Sequence, residues 1–248
     1  MLASGIVLGF LAAAIGIACA ALGVSSLIGS LKRIVPFSGG LLAGIAAFAV
    51  FPELVEERSL AAATLLLSAG VLLLWAFGRF VYPICPACSH THDHAKCSVT
   101  LHGFALPLVA AASLHAFLDG LGVAASQSGA VGLAAVVVAG VVLHKIPEGI
   151  ALGLMLRAAV KTRAKAFALA AAAEFATFLG ALLESVVTAH FGVAWVTYAL
   201  ALAGGSFLYL GFHAVHGARR QRIPALGPAL TGAAGAAALQ QGLHLFLR

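Results

Sequence analysis

Two heptapeptides, Leu114-His115-Ala116-Phe117-Leu118-Asp119-Gly120 and Leu143-His144-Lys145-Ile146-Pro147-Glu148-Gly149, each set a histidine and a carboxylate four residues apart inside an apolar run. On a helix, residues i and i+4 share a face, so each pair can address one point. Ionisable groups in hydrocarbon cost roughly 2.5–3.5 kcal/mol each on insertion scales, so they need a partner or a task. His115, Asp119, His144 and Glu148 together offer imidazole nitrogens and carboxylate oxygens, a donor set for a divalent metal. The set suits zinc, iron(II), manganese and cobalt alike, and the lack of sulfur at the motifs argues against copper(I). Coordination needs neutral imidazoles and ionised carboxylates, so acid is expected to weaken it.

The neighbours of these residues carry further expectations. Lys145 follows His144, and helical geometry turns it about 100° away. It reads as a fixed cation beside the metal, paired with a nearby acid. Glu174, in the middle of a later apolar run, is the expected partner, with transient ligation as its alternative role; Thr177 lies one turn further on. Glu184 is expected to be an interfacial acid. Pro147 removes the hydrogen bond to the Leu143 carbonyl, which predicts a bend and a local opening. Segment 83–98 contains Cys85, Cys88, His90, His92, His94 and Cys97, a Cys-x-x-Cys followed by a His/Cys cluster, and reads as an accessory metal-binding loop or a structural zinc knuckle. His213 and His216, three apart, are placed to touch an ion on its way out.

The elements that position these residues must cross a bilayer. The 248 residues are 62% hydrophobic and 9% charged, against about a quarter charged in soluble proteins. Eight apolar runs are long enough to span, at 3–30, 37–57, 60–82, 99–125, 130–156, 165–189, 193–216 and 224–246. The chain therefore reads as an all-α polytopic membrane protein, one transmembrane domain over 1–248 with a Cys/His-rich loop at 83–98. The net charge of +6 does not point to nucleic acid, because its basic residues concentrate in alternate loops: Lys32 and Arg33, Arg79 and Lys96, Arg157 to Lys165, Arg219 to Arg222. By the positive-inside tendency these loops are cytoplasmic and both termini lie outside. The first run has no basic region before it and is too long for a cleaved leader, so it is expected to be a span. Glycine spacings such as Gly40-x-x-x-Gly44 predict close helix packing.

These features resemble the ZIP family of metal transporters. The resemblance rests on eight spans, outside termini, a His-rich third loop, His-x-x-x-Asp-Gly in the fourth span and His-x-x-Pro-Glu-Gly in the fifth, with Phe51-Pro52-Glu53 ending the second. It implies inverted repeats of three helices around the fourth and fifth, in a 3+2+3 bundle. It also implies a homodimer, and an elevator-like shift of spans one, four, five and six against the rest. In two-metal members a second ion needs polar residues where this chain has Ala116, Lys145 and Thr177, so the resemblance implies a single-metal site with the Lys145 ammonium in the second ion's place.

The expected function is uptake of a divalent metal into the cytoplasm, zinc first, with iron(II), manganese, cobalt and cadmium as alternatives. The metal is cargo rather than a catalytic cofactor, and no catalytic residue is assigned. Short loops and small size fit a prokaryotic inner membrane. Two rivals were weighed. An intramembrane zinc hydrolase would need His-Glu-x-x-His, whose glutamate acts as general base, and Lys145 stands where that glutamate would be. A metal sensor working through the third loop would not need a mid-membrane pocket. Deleting residues 85–97 separates the last reading: metal uptake is expected to persist in large part, whereas a sensor would lose its response altogether.

Overall fold

The structure, a computed structural model, describes residues 2–22, 28–80, 97–129, 131–160, 162–220 and 222–246. Among them all regular structure is helical. The helices are α1 (Leu2–Leu22), α2 (Ile28–Ile45), α3 (Phe51–Glu57), α4 (Leu60–Phe80), α5 (Cys97–Ser126), α6 (Val131–Ala159), α7 (Arg163–Phe191), α8 (Ala194–Arg220) and α9 (Leu226–Phe246). A π-helical segment, Ala46–Val50, joins α2 to α3 without leaving helical backbone angles, so the three form one rod. Among the described residues seven helices, counting this rod once, are long and apolar enough to cross a membrane. The 21 residues of α9 are long enough, but Gln240, Gln241 and His244 make its second half more polar.

The ends follow local chemistry. Thr162 caps α7, its hydroxyl accepting from the Lys165 amide at 3.3 Å. Gly192, at φ 80°, ends the same helix in a conformation that glycine adopts without strain. Two boundaries differ from expectation. Lys32 and Arg33 belong to α2 rather than to a loop, because exposed basic side chains at a helix end do not interrupt it. Cys97 opens α5 instead of closing the loop before it. The helix α6 runs on through a buried Pro147.

Two groups of helices pack within themselves. In the first, α1, α5, α6 and α7, glycines let backbones meet: Gly120 lies against the Thr177 carbonyl, Gly180 against that of Phe117, and Gly149 against that of Gly16. In the second, α2 to α4 with α8 and α9, Gly40 meets the Ala229 carbonyl and Gly232 that of Phe37. With no water to drive association in lipid, such close approaches and their dispersion contacts hold helices together.

Helix α6 takes part in two cores, divided at its motif. Before His144, Leu133, Val136, Val137 and Val141 join a buried cluster with Leu42, Ile45 and Val50 from the second group and with Leu200 and Phe207 of α8. After Glu148, Leu152, Met155, Leu156 and Ala159 join a cluster drawn from α1, α5, α6 and α7 alone. The candidate ligands thus sit where a shared core gives way to a private one.

Gly120→Ala would drive a methyl into the Thr177 carbonyl. It is expected to cost about 1–3 kcal/mol through overpacking, read as a lowered Tm of the detergent-solubilised protein. Gly235→Ala, with open space around the added carbon, is expected to leave Tm unchanged or slightly raised.

Candidate metal centre

The i, i+4 spacing brings both pairs inward, and the crossing of α5 and α6 brings them together. His115 Nε2 lies 2.9 Å from His144 Nε2 and 3.3 Å from Glu148 Oε1. His144 Nε2 is 3.8 Å from Glu148 Oε2, and His115 Nδ1 is 3.7 Å from Asp119 Oδ1. One donor atom from each of the four residues falls within 4.8 Å of all the others. A tetrahedral zinc ion with bonds of 2.0–2.2 Å sets its donors about 3.3 Å apart. The separations straddle that value, so small rotamer changes suffice to close the four around one ion.

The cluster is dry. Asp119, Lys145, Glu174 and Thr177 have no exposed surface, and His115 is 4% exposed. His144 is the most open of the four candidate ligands, its side chain 14% exposed. Several buried polar atoms have no hydrogen-bond partner among the described residues: Nδ1 of His115, Nδ1 of His144, Asp119 Oδ1 and Thr177 Oγ1. Each such atom costs about 1–3 kcal/mol, which a bound cation or its water can repay.

Lys145 is the hub of the charges. Its ammonium stands 2.8 Å from Asp119 Oδ2, 2.8 Å from Glu148 Oε2, to which it donates a hydrogen bond, and 3.1 Å from Glu174 Oε2. With its acids ionised, the group of three carboxylates and one ammonium keeps two uncompensated negative charges, the charge of one divalent cation. Glu174 reaches Lys145 from α7 and lies on Gly16 of α1, where any side chain would strike its carboxylate.

The structure gathers His115, Asp119, His144, Glu148, Lys145 and Glu174 into this one cluster, with Ala116 and Thr177 buried on the same helices as their neighbours. His213 and His216 lie elsewhere, on α8, each stacked on an aromatic ring one turn before it, Tyr209 and Phe212, at 5.7 Å. Cys85, Cys88, His90, His92 and His94 lie outside the described residues. Glu184 is 2% exposed and accepts a hydrogen bond from the Thr188 hydroxyl at 2.6 Å. Two features escaped the sequence reading. Lys145 binds three acids, not one, and the third is seated by Gly16. Neither has a local signal, since both depend on how α1 and α7 cross α6.

Replacing Lys145 by Met would leave three buried carboxylates without their cation. A broken buried ion pair costs about 3–5 kcal/mol. The expected outcome is a large loss of Tm in metal-free K145M, of which added zinc restores a greater part than it adds to the unaltered protein.

No curated protein matches the chain. A family model described as ZIP zinc transporter matches residues 83–216, which include both motifs, Glu174 and the α8 histidines. That is more than half of the chain, which therefore belongs to the ZIP zinc transporter family.

Proposed function

We propose that this protein is a carrier of single divalent metal ions, zinc foremost, that moves them into the cytoplasm. Membership of a metal-transporter family and helices built to cross a bilayer make it an integral membrane protein with a divalent metal substrate. The observation that carries the finer reading is the charge of the cluster: donors from two helices surround a space beside Lys145, and one divalent ion neutralises the whole. A second ion would leave the buried group with excess positive charge, and the ammonium already occupies the space between the acids. His115, Asp119, His144 and Glu148 are the proposed ligands. Iron(II), manganese, cobalt and cadmium remain alternative cargoes of the same donor set.

Further parts of the proposal rest on the basic loops and the family. The chain spans eight times, with α9 as the last span and the helices before and after the central pair as inverted 3+2+3 repeats. Both termini lie outside a prokaryotic inner membrane, and two copies form a homodimer. Segment 83–98 is an accessory cytoplasmic metal-binding loop, and His213 and His216 border the exit. Transport proceeds by an elevator-type movement of α1, α5, α6 and α7 against the other helices. The backbone-to-backbone contacts inside each group support this division, because each can move as a unit. The hydrolase reading loses ground: Lys145 stands where the general-base glutamate would be, and its ammonium is engaged by three acids.

Purified protein in liposomes should take up zinc, and H144A or E148A should lower that uptake by about tenfold or more, as removal of a metal-site donor does. Undiminished uptake by both variants would discard the ligand assignment. Parallel trials with iron(II), manganese and cadmium rank the cargoes.

A further inference from the structure

Helix α1 supplies none of the four candidate ligands, yet it presses on their neighbours. Gly16 lies against the Glu174 carboxylate, and the Gly16 carbonyl lies against Gly149, the residue after Glu148. Cys19 follows Gly16 by three residues and so shares its face of the helix. A β-carbon on Gly149 would come 3.1 Å from the Cys19 β-carbon, so the carbon that bears the thiol packs on α6 directly beside the motif. One turn further along both helices Gly153 meets the Ala20 carbonyl. Helices α1 and α6 thus run side by side in one direction, and Cys19 stands on the side of the cluster that leads to the α6–α7 turn. Its thiol is free, half-buried and within electrostatic reach of the Glu174 carboxylate. Glu174 has a donor atom to offer there. It has no exposed surface. Its Oε2 faces the Lys145 ammonium at 3.1 Å, while Oε1 has neither a hydrogen bond nor an ion pair among the described residues. A buried carboxylate oxygen left in this state is an unused acceptor.

We propose that Cys19 and Glu174 form a sulfur-containing site for one soft divalent ion, cadmium above all, beside the four-ligand cluster and on the side of the α6–α7 turn. Binding forms a bond from the Cys19 sulfur to the ion and breaks the S–H bond, whose proton leaves to water. Thiolate and carboxylate together then match the charge of one divalent ion, the compensation that a poorly hydrated cation requires. Lys145 keeps Asp119 and Glu148 as its partners meanwhile, each 2.8 Å away. The remaining coordination positions fall to water, which a half-buried thiol admits. Sulfur changes what the region can select. Imidazole and carboxylate accept zinc, iron(II), manganese and cobalt alike, whereas a thiolate favours soft ions over hard ones such as manganese. A soft ion that left the four-ligand cluster on this side would therefore be retained where a hard one would pass. As a binding site the pair stands whether or not the protein transports.

The test reads the metal–sulfur bond itself, through the ultraviolet charge-transfer band of a cadmium thiolate. Cys85, Cys88 and Cys97 are replaced by serine in the full-length protein, which leaves Cys19 as its one thiol. Cadmium titrated into this purified protein is expected to raise the band to saturation at a single ion per chain, and magnesium is expected to raise none. Cys19→Ser abolishes it. Glu174→Gln should weaken cadmium binding, read from the midpoint of the titration, by about tenfold or more. Glu174→Asp, which keeps a charge for Lys145, should weaken it in the same direction and serves if the glutamine variant does not fold. His144→Ala should leave the band in place, because the thiol site is separate from the four-ligand cluster. No band, an unchanged midpoint in whichever Glu174 variant folds, or loss of the band in His144→Ala overturns the proposal. Zinc uptake by the unaltered sequence is measured separately: its absence strikes the transport reading, while the cadmium titrations still decide whether Cys19 and Glu174 bind an ion.

Discussion

The contact on which the site depends is the Lys145 ammonium set among Asp119, Glu148 and Glu174 in an interior without water. Three carboxylates cannot be buried together unaided, because their mutual repulsion adds to the cost of desolvating each. One fixed cation removes part of that cost and leaves the rest as attraction for a mobile one. The same ammonium holds acids from α5, α6 and α7 at one point, so charge and geometry are secured by a single side chain. That economy has a structural condition: Glu174 can reach the lysine only because α1 offers Gly16 at its back.

The packing around the cluster divides along the same line. Within α1, α5, α6 and α7, glycine brings backbone onto backbone, and the ligands inherit that rigidity. A donor set that must hold a metal within fractions of an ångström is better carried on helices locked in this way than on loops. Across the seam to α2 and α8 the contacts are apolar tips against glycine, with no ion pair among the described residues tying the cluster itself to the second group.

How much of this could be read from the chain alone depended on the range of the signal. The pairing of His115 with Asp119 and of His144 with Glu148 follows from a four-residue spacing, and their placement in apolar helices from composition; both need only local periodicity. That α5 and α6 would cross so as to join the pairs, and that Glu174 would complete the charge group, was available only as an expectation, because an interhelical distance is set by which small residues face each other. Glu184 shows the limit: its position in the span carried no sign of the Thr188 hydroxyl that donates to it.

A carrier site must bind its ion and also let it go, and the cluster bears on both. Burial of the ligands favours capture, since a bound cation supplies interactions that Asp119 Oδ1, without a hydrogen bond among the described residues, lacks. Release is helped by the same lysine that shapes the site. Glu148 is at once a candidate ligand and a hydrogen-bond acceptor of Lys145, so any metal it holds competes with an ammonium 2.8 Å away. When the ion leaves, that carboxylate keeps a partner, so the emptied cluster holds one neutralised acid instead of three bare ones. The lysine therefore competes for a ligand as the ion leaves, which is the balance a carrier site needs if it is to be emptied as well as filled.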